Sequence, residues 1–592
     1  MKSSLAVLCV FLLAFAAAGQ TVRVSPNVMA GPATSEQSSQ PASQQKPGAT
    51  QQPGDQKGTG SIEGAVLTQD GDRPVRKATV TLNPIPTAPN PNQMIDNRQQ
   101  FQTEADGHFV FKDLPAGQYS LMVQHPNYVG TGRQARMVNQ MVRLSDGQAV
   151  KDLTFRLVPA GIIRGRVTDE DGDPVARAQI SVMRQQYFRG KKQFMNAGGG
   201  NTDDLGEFRV SSLPPGTYWV SASRQQMMGM PGGPEAKQTR QYVRTFYPGA
   251  TDVQSASPVD VKPGDEVPVN ISLMKMETAE VKGTVTQQTG EKAENGQVSL
   301  AASGDVSVGM GGYSAMLRNG EFDLRVPPGH YRVTAMTFPA PTGQMIVPSY
   351  TTSTIDVPPQ GLQDLKLQTG SASKVTAHVA VEGATQAVNL DNIRIQLQVH
   401  RDDDDPRNFF MMGDMGNAKA DKDGNAVIER LNAGTYEVNY FGGLPGYQDA
   451  YLKSVLQGNR DVLPTGFRVS GDGQMHVTIS VNGGYVEGIV SDADHKPVKG
   501  AMVVDVPPEE FRTRDQFYRI GSTDQNGHFL LHSIRPGRHL LLALEDPEQG
   551  VWLDPVFLKT VESKGENFSI DEREHKQFQL QVIPKTQTAV GQ

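Results

Sequence analysis

The stretch GHFVFKDLPAGQY, from Gly107 to Tyr119, returns as GEFRVSSLPPGTY from Gly206, GEFDLRVPPGHY from Gly320, GNAVIERLNAGTY from Gly424 and GHFLLHSIRPGRH from Gly527. Successive first glycines lie 99, 114, 104 and 103 residues apart. That period is far longer than a solenoid repeat and close to the size of one β-sandwich, so the chain reads as a string of like domains. Within each copy the first Gly supplies the positive φ of a tight turn, often behind Asp or Asn as in Asp106-Gly107 and Asn526-Gly527. A strand follows, with Phe109, Phe111 and Leu114 on its apolar face in the first copy. Pro115 and Gly117 then turn the chain, and Tyr119, Leu121 and Val123 alternate inward along the next strand. Three copies depart from the pattern. The third is one residue shorter, the fourth has Ala426 for Phe and Asn432 for Pro, and the fifth has His539 for Tyr.

About forty residues upstream of most copies sits a β-branched strand followed by a polar turn and another strand. It appears as IEGAVLTQDGDRPVRKATVTL from Ile62, IRGRVTDEDGDPVARAQISV from Ile163, VKGTVTQQTGEKAENGQVSL from Val281 and VEGIVSDADHKPVKGAMVVDV from Val486, with a weaker copy from Lys374. Downstream come further alternating segments, such as VKDLTFRL from Val150 and KQFQLQVI from Lys576. About seven short strands per repeat, with a turn signal every eight to twelve residues, spell a Greek-key sandwich. The fold expected is all-β: five tandem immunoglobulin-like or transthyretin-like antiparallel β-sandwich domains at 61–158, 159–276, 277–370, 371–483 and 484–584, with a tail at 585–592.

The pattern G-x-V-x-D-x-x-G-x-P-V-x-x-A-x-V followed by D-x-x-G-x-F-x-x-x-x-L-P-x-G-x-Y resembles the carboxypeptidase regulatory-like domain, a transthyretin-like or collagen-adhesin B-type sandwich. The resemblance is strong in the first, second and fifth repeats and loose in the third and fourth. It implies the fold of a secreted bacterial multi-domain protein. It implies little about activity, because the module accompanies peptidases, adhesins, receptors and carbohydrate-active enzymes alike.

Lys2, the apolar run from Leu5 to Ala18 and the Ala16-x-Ala18 end read as a secretory signal peptide at 1–18, too short for a stable membrane span. The single cysteine, Cys9, lies inside that run, so the processed chain would have neither disulfides nor a thiolate metal site. Residues 19–60 are rich in Gln, Ser, Pro and Gly and cannot bury enough apolar surface to offset ordering, which reads as a flexible linker. A net charge of -7, with both signs interspersed, gives no basic field for nucleic acid and no polybasic membrane patch. The location expected is the bacterial periplasm, outer envelope or exterior.

Catalytic signatures do not appear. None of the eleven histidines has Glu three residues on, as a metallocarboxypeptidase zinc site needs, and there is no H-E-x-x-H, G-x-S-x-G or phosphate-binding loop. The sequence therefore gives no catalytic residue, cofactor or metal ligand. Asp169, Asp171 and Asp173, like Asp421, Asp423 and Asn425, resemble calcium-loop fragments, but the glycine is misplaced and the distal Glu is missing, so they read as hairpin turns. Asp402 to Asp405 read as a solvated loop tip, and the methionines 227, 228, 230, 411, 412 and 415 as loop filling or an adaptable contact surface.

Trp219 shares a strand face with Ser120, Arg332 and Glu437 of other repeats, so its indole is expected to meet solvent, a neighbouring domain or a ligand. Trp552 is read in the same way. Both are candidate ligand-binding residues, as platforms for a sugar ring. The loops between the second strand and the motif, from Asn83, Arg184, Ala302, Arg401 and Pro507, vary most and are candidate recognition loops. Pro159-Ala-Gly161 and Gly483-Gly484 suggest limited hinge freedom between domains. The functional expectation is a non-catalytic binding or spacer protein whose partner is a polysaccharide or an envelope protein. The alternative is an accessory chain of a hydrolytic or uptake system, or an unrecognised hydrolase.

Overall fold

Alternation of apolar and polar residues along Gly60–Thr68 becomes alternation of buried and half-buried positions in the computed structural model, with Ile62 and Val66 fully buried. The structure describes residues 58–85, 98–130, 138–224, 239–302, 313–338, 348–370, 373–399 and 415–587. The expected signal peptide, most of the linker, Asp402 to Asp405 and every methionine singled out except Met415 lie outside them.

Around the first copy of the motif one sheet runs His108–Leu114, Gly60–Thr68, Ala149–Pro159, Tyr128–Val129. It faces a second sheet of Gln99–Gln102, Thr79–Ile85, Gly117–Gln124 and Val138–Leu144. Ile62, Val80, Phe109, Leu121 and Phe155 fill the space between. The same plan surrounds the other copies, with core clusters built on Ile163 and Tyr218, Val281 and Val333, Val375 and Tyr436, and Val486 and Phe529. The chain is an all-β protein of sandwich type. One pairing differs from the antiparallel expectation. Gly60–Thr68 runs parallel to Ala149–Pro159, and the first strand of each later sandwich likewise runs parallel to its last. A long return connection brings the closing strand beside the opening one in the same direction, which a hairpin could not do.

The tyrosine of the motif proves to be a corner brace. Tyr119 Oη donates to Pro115 O at 2.7 Å, Tyr331 Oη to Pro327 O at 2.8 Å and Tyr436 Oη to Asn432 O at 2.8 Å, with Tyr218 and Pro214 bonded likewise. The ring fills the core while its hydroxyl satisfies the turn carbonyl, so one residue settles both packing and polarity. The Leu-Pro turn is preceded by a β-bulge. Ile62 pairs with Phe111 but Gly60 with Leu114, and the extra residue, Asp113, takes φ 58°. Ser212, Arg430 and Ser533 occupy the same left-handed position. The third copy pairs Ala279 with Val326 in unbroken register, so its missing residue is the bulge.

A second brace recurs ahead of the motif. Thr103, Thr202 and Thr523 are buried, and each accepts a backbone N–H (from Ala78, Ala178 and Ala501) while donating to a carbonyl (of Val75, Val175 and Val498) at 2.6–2.9 Å. Leu317 and Ala420 replace it in the third and fourth sandwiches and are simply buried. The acidic turns are hairpin braces too: Asp169 Oδ1 accepts from the N–H groups of Asp171 and Asp173, and Asp421 Oδ1 from those of Asp423 and Asn425.

Candidate functional site

The fifth sandwich breaks the repeat at three aligned core or turn positions, and places where a fold violates its own rule are where function is first sought. Arg535 stands where the other copies have Pro115, Pro214, Pro327 and Asn432. His539 stands where they have tyrosine. Asp505 pairs across the sheet with Leu541, a place filled by buried Leu82, Val182, Leu300 and Leu397 in the others.

These substitutions are coupled. His539 Nε2 donates to Arg535 O at 2.8 Å, keeping the corner bond that tyrosine makes elsewhere. Its Nδ1 lies 2.8 Å from Asp505 Oδ1, and both side chains are 1% exposed. Because Nε2 must carry hydrogen to reach a carbonyl, a single further proton lies on the line between Nδ1 and Oδ1, and the buried pair is neutral overall.

Arg535 projects from the turn into the fourth sandwich. Its guanidinium lies 4.3 Å from the centre of the Phe511 ring, with Tyr451 and Phe517 at 5.4 and 5.5 Å. It donates to the carbonyls of Leu452 and Lys453. Arg519 donates to the carbonyls of Ser533, Gln516 and Tyr518 at 2.9–3.2 Å. Burial pushes both guanidinium pKa values down. Together with Asn439, Tyr440, Phe441, Tyr451, Gln516, Phe517 and Ser533 they line a cleft of about 390 Å³ at the joint of the fourth and fifth sandwiches. A neighbouring cleft of about 430 Å³ is lined by the acids Glu382, Asp461 and Glu572 beside Lys453 and the same Arg535.

The joint is pinned, not hinged. Arg573 Nε donates to Asn482 Oδ1 at 2.8 Å, Lys453 Nζ reaches Glu572 at 3.4 Å, and His532 Nδ1 lies 2.8 Å from Asp449 Oδ1. At Gly483 a Cβ would stand 2.2 Å from Asp449 O, so this glycine serves close approach, and the freedom expected of the Gly483-Gly484 linker is taken up by packing.

Trp219 is half-buried. It meets Phe194 edge to face at 4.9 Å beside Met183, Phe246 and Val253. Its cover is its own sandwich, because the hairpin of Ala178–Phe188 and Lys191–Asn201 outgrows its counterparts and folds Phe194 over that face. Trp552 is 2% exposed, in a cluster with Val504, Leu542, Phe557 and, from the second sandwich, Tyr187. With so little surface it offers no platform to a sugar ring, which corrects the expectation at this position. The cause is the same hairpin, whose tip reaches the fifth sandwich. Arg189 Nη2 lies 3.7 Å from Glu437 of the fourth, and burial beside Asp554 and Glu548 pushes the Tyr187 hydroxyl up to about 12.

At the tip Gly190 has φ 80°, and a Cβ there would stand 2.3 Å from Leu553 O. Gly190→Val is therefore expected to lift the hairpin. Acrylamide quenching of Trp552, measured in a Trp219→Phe background, should rise severalfold; unchanged quenching would mean that the tip does not seal that face.

The motifs have a counterpart among known families. Residues 61–158 and 162–229 match the carboxypeptidase regulatory-like domain. Those two stretches, under a third of the chain, are similar to that domain. Both matched stretches hold the Leu-Pro corner and the threonine brace, and the cleft lies outside them. No curated protein matches the chain. Among solved structures, the minor pilin GBS52 of Streptococcus agalactiae is 16% identical over 36% of this chain and 96% of its own, with a TM-score of 0.21. The Bacillus anthracis TIE protein is 14% identical over 71% and 72%, with a TM-score of 0.15. The shaft pilin SpaA of Lactobacillus rhamnosus GG is 13% identical over 36% and 96%, with a TM-score of 0.13. No functional statement follows from likenesses of this size. Among the described residues no helix is long and apolar enough to cross a membrane.

The cleft was not legible in the sequence. His539 in place of tyrosine and Arg535 in place of proline were the visible signals, and the partner Asp505 and the crossing of Arg535 into another sandwich become apparent only when the strands are paired.

Proposed function

We propose that the chain is a secreted or envelope-associated, non-catalytic protein that holds apart and presents binding surfaces to a polysaccharide or protein partner. In this reading it has five sandwich domains, with boundaries at 61–158, 159–276, 277–370, 371–483 and 484–584. The observation that carries it is the repeated docking of one turn. Ser212 Oγ donates to Pro126 O at 3.0 Å, Asn432 Nδ2 to Pro348 O at 3.5 Å and Ser533 Oγ to Gln448 O at 3.2 Å, each bond tying the Leu-Pro corner of one sandwich to the sandwich before it. Three of the four joints of this reading are tied at the same place, which suits a scaffold that keeps its shape. The regulatory-like module itself is an accessory domain, which favours binding over catalysis.

The test is incubation of the purified chain with insoluble polysaccharides and cell-wall preparations, alongside peptide and glycan pools. Retention on at least one surface with no product released is the expected result. Release of products from either pool, or retention on none of the surfaces, would overturn the reading.

A further inference from the structure

The cleft between Phe441 and Arg519 has a charge pattern unlike the rest of this acidic chain. Its lining contains two guanidinium groups and no carboxylate. Among the described residues neither Arg519 nor Arg535 has a carboxylate within salt-bridge distance, and their acceptors are backbone carbonyls alone. Arg519 acts to lower the Arg535 pKa, while Tyr451, Asp461 and Glu510 act to raise it. These acids stand beyond salt-bridge distance, so an anion that reaches the two guanidinium groups directly gains a contact that no carboxylate of the chain supplies. Carboxylates suit the planar guanidinium fork.

Two more features narrow the ligand. Gln516 Oε1 is buried with no hydrogen-bond partner, while its Nε2 donates to Val438 O, so an acceptor at the cleft awaits a donor such as a hydroxyl. The aromatic residues Tyr440, Phe441, Tyr451 and Phe517 belong to the same lining; Tyr451 and Phe517 are buried, and Phe441 is 52% exposed and so presents its ring. Rings of this kind stack on the C–H faces of a sugar, and amides and Ser533 are in place for its hydroxyls.

The geometry points to this cleft as a binding site for a carboxylate-bearing oligosaccharide, with Arg519 and Arg535 holding the uronate, Phe441 stacking on a ring and Gln516 accepting from a hydroxyl. The assignment rests on the binding reading above and supplies its ligand class. Asp505 and His539 act from behind the site as positioning residues. The charge of Asp505 acts to raise the Arg519 pKa, and His539 ties the carbonyl of Arg535.

Calorimetric titration of the full chain with trigalacturonate, its methyl ester and a free tripeptide ending in phenylalanine tests it, with Arg519→Gln and Phe441→Ala as variants checked by thermal melting. Trigalacturonate is expected to bind, with loss of roughly tenfold or more in affinity for the ester and for each variant. Should Arg519→Gln not fold, Phe441→Ala decides alone, since its side chain is half-exposed. Equal binding of ester and acid, no binding of trigalacturonate, tighter binding of the tripeptide, or binding unmoved by Phe441→Ala would each overturn the site. Shortening of the sugar during titration would instead overturn the non-catalytic reading and leave the site standing. Retention on a neutral polysaccharide that survives Phe441→Ala, with trigalacturonate not bound, would do the reverse.

Discussion

Gly165→Ala is expected to cost about 3–5 kcal/mol and to unfold the second sandwich ahead of the others, because the added methyl has nowhere to go. A Cβ at this position would stand 1.7 Å from Val269 O and 2.5 Å from its carbon, backbone atoms in the short break between the parallel segments Glu266–Pro268 and Ile271–Ser272. Flexible side chains can move aside; a backbone carbonyl cannot without shifting the paired segments on either side of it. The same approach recurs at Gly64 against Leu153 O at 2.1 Å, Gly283 against Leu365 O at 2.1 Å and Gly488 against Phe578 O at 2.0 Å. Gly172→Ala is the control. Its φ of 86° is unfavourable to alanine but nothing lies within 4 Å, so it should cost only about 1–2 kcal/mol. Urea unfolding followed through Trp219 in a Trp552→Phe background reads the second sandwich directly. A loss for Gly165→Ala no larger than that for Gly172→Ala would show that the parallel strand does not set the limit.

His539→Leu should destabilise the fifth sandwich by about 3–5 kcal/mol, since it strands Asp505 in the core and frees the carbonyl of Arg535. Asp505 Oδ2 already lacks a partner among the described residues, so the remaining carboxylate would have only the field of Arg519 to offset burial. The double variant Asp505→Leu/His539→Tyr recreates the pair found as Leu82 and Tyr119 or Leu397 and Tyr436. It is expected to recover most of the loss, in line with the small cost of replacing buried ion pairs by well-packed apolar groups. The measurement is a double-mutant cycle on urea midpoints read through Trp552 in a Trp219→Phe background. Additive single effects, with no recovery in the double variant, would mean that the two residues are not a unit. If the cleft takes an acidic sugar, the double variant should also bind it less tightly than its stability would suggest, because Asp505 and His539 steady the two arginines.

Much of the fold was legible because the signals are local. Leu-Pro-x-Gly-x-Tyr announces a turn wherever it stands, and Tyr218, Val220 and Ala222 fall on the core face as alternation requires. What the local pattern could not convey was the tyrosine hydroxyl reaching back to the turn, or that the short third copy is short because it lacks a bulge. The parallel pairing was hidden for a different reason: alternation tells which face of a strand is buried, and says nothing of the direction of its neighbour. Comparison with aligned polar positions left the Trp219 indole open to solvent, a neighbouring domain or a ligand, and could not convey what covers the face. One unusually long hairpin covers both Trp219 and Trp552. The cleft belongs to no single repeat, so no inspection of one repeat could reveal it.

That hairpin also fixes an order of assembly. Tyr187 and Gly190 settle against Trp552 and Leu553, which follow them by more than 350 residues. Each sandwich can collapse on its own contacts as it emerges, but the arm of the second must wait for the fifth before its aromatic tip is shielded. Shielding of the arm is thus a capture event between segments far apart in sequence. A chain cut short before Trp552 would leave the aromatic tip of the second sandwich without its cover.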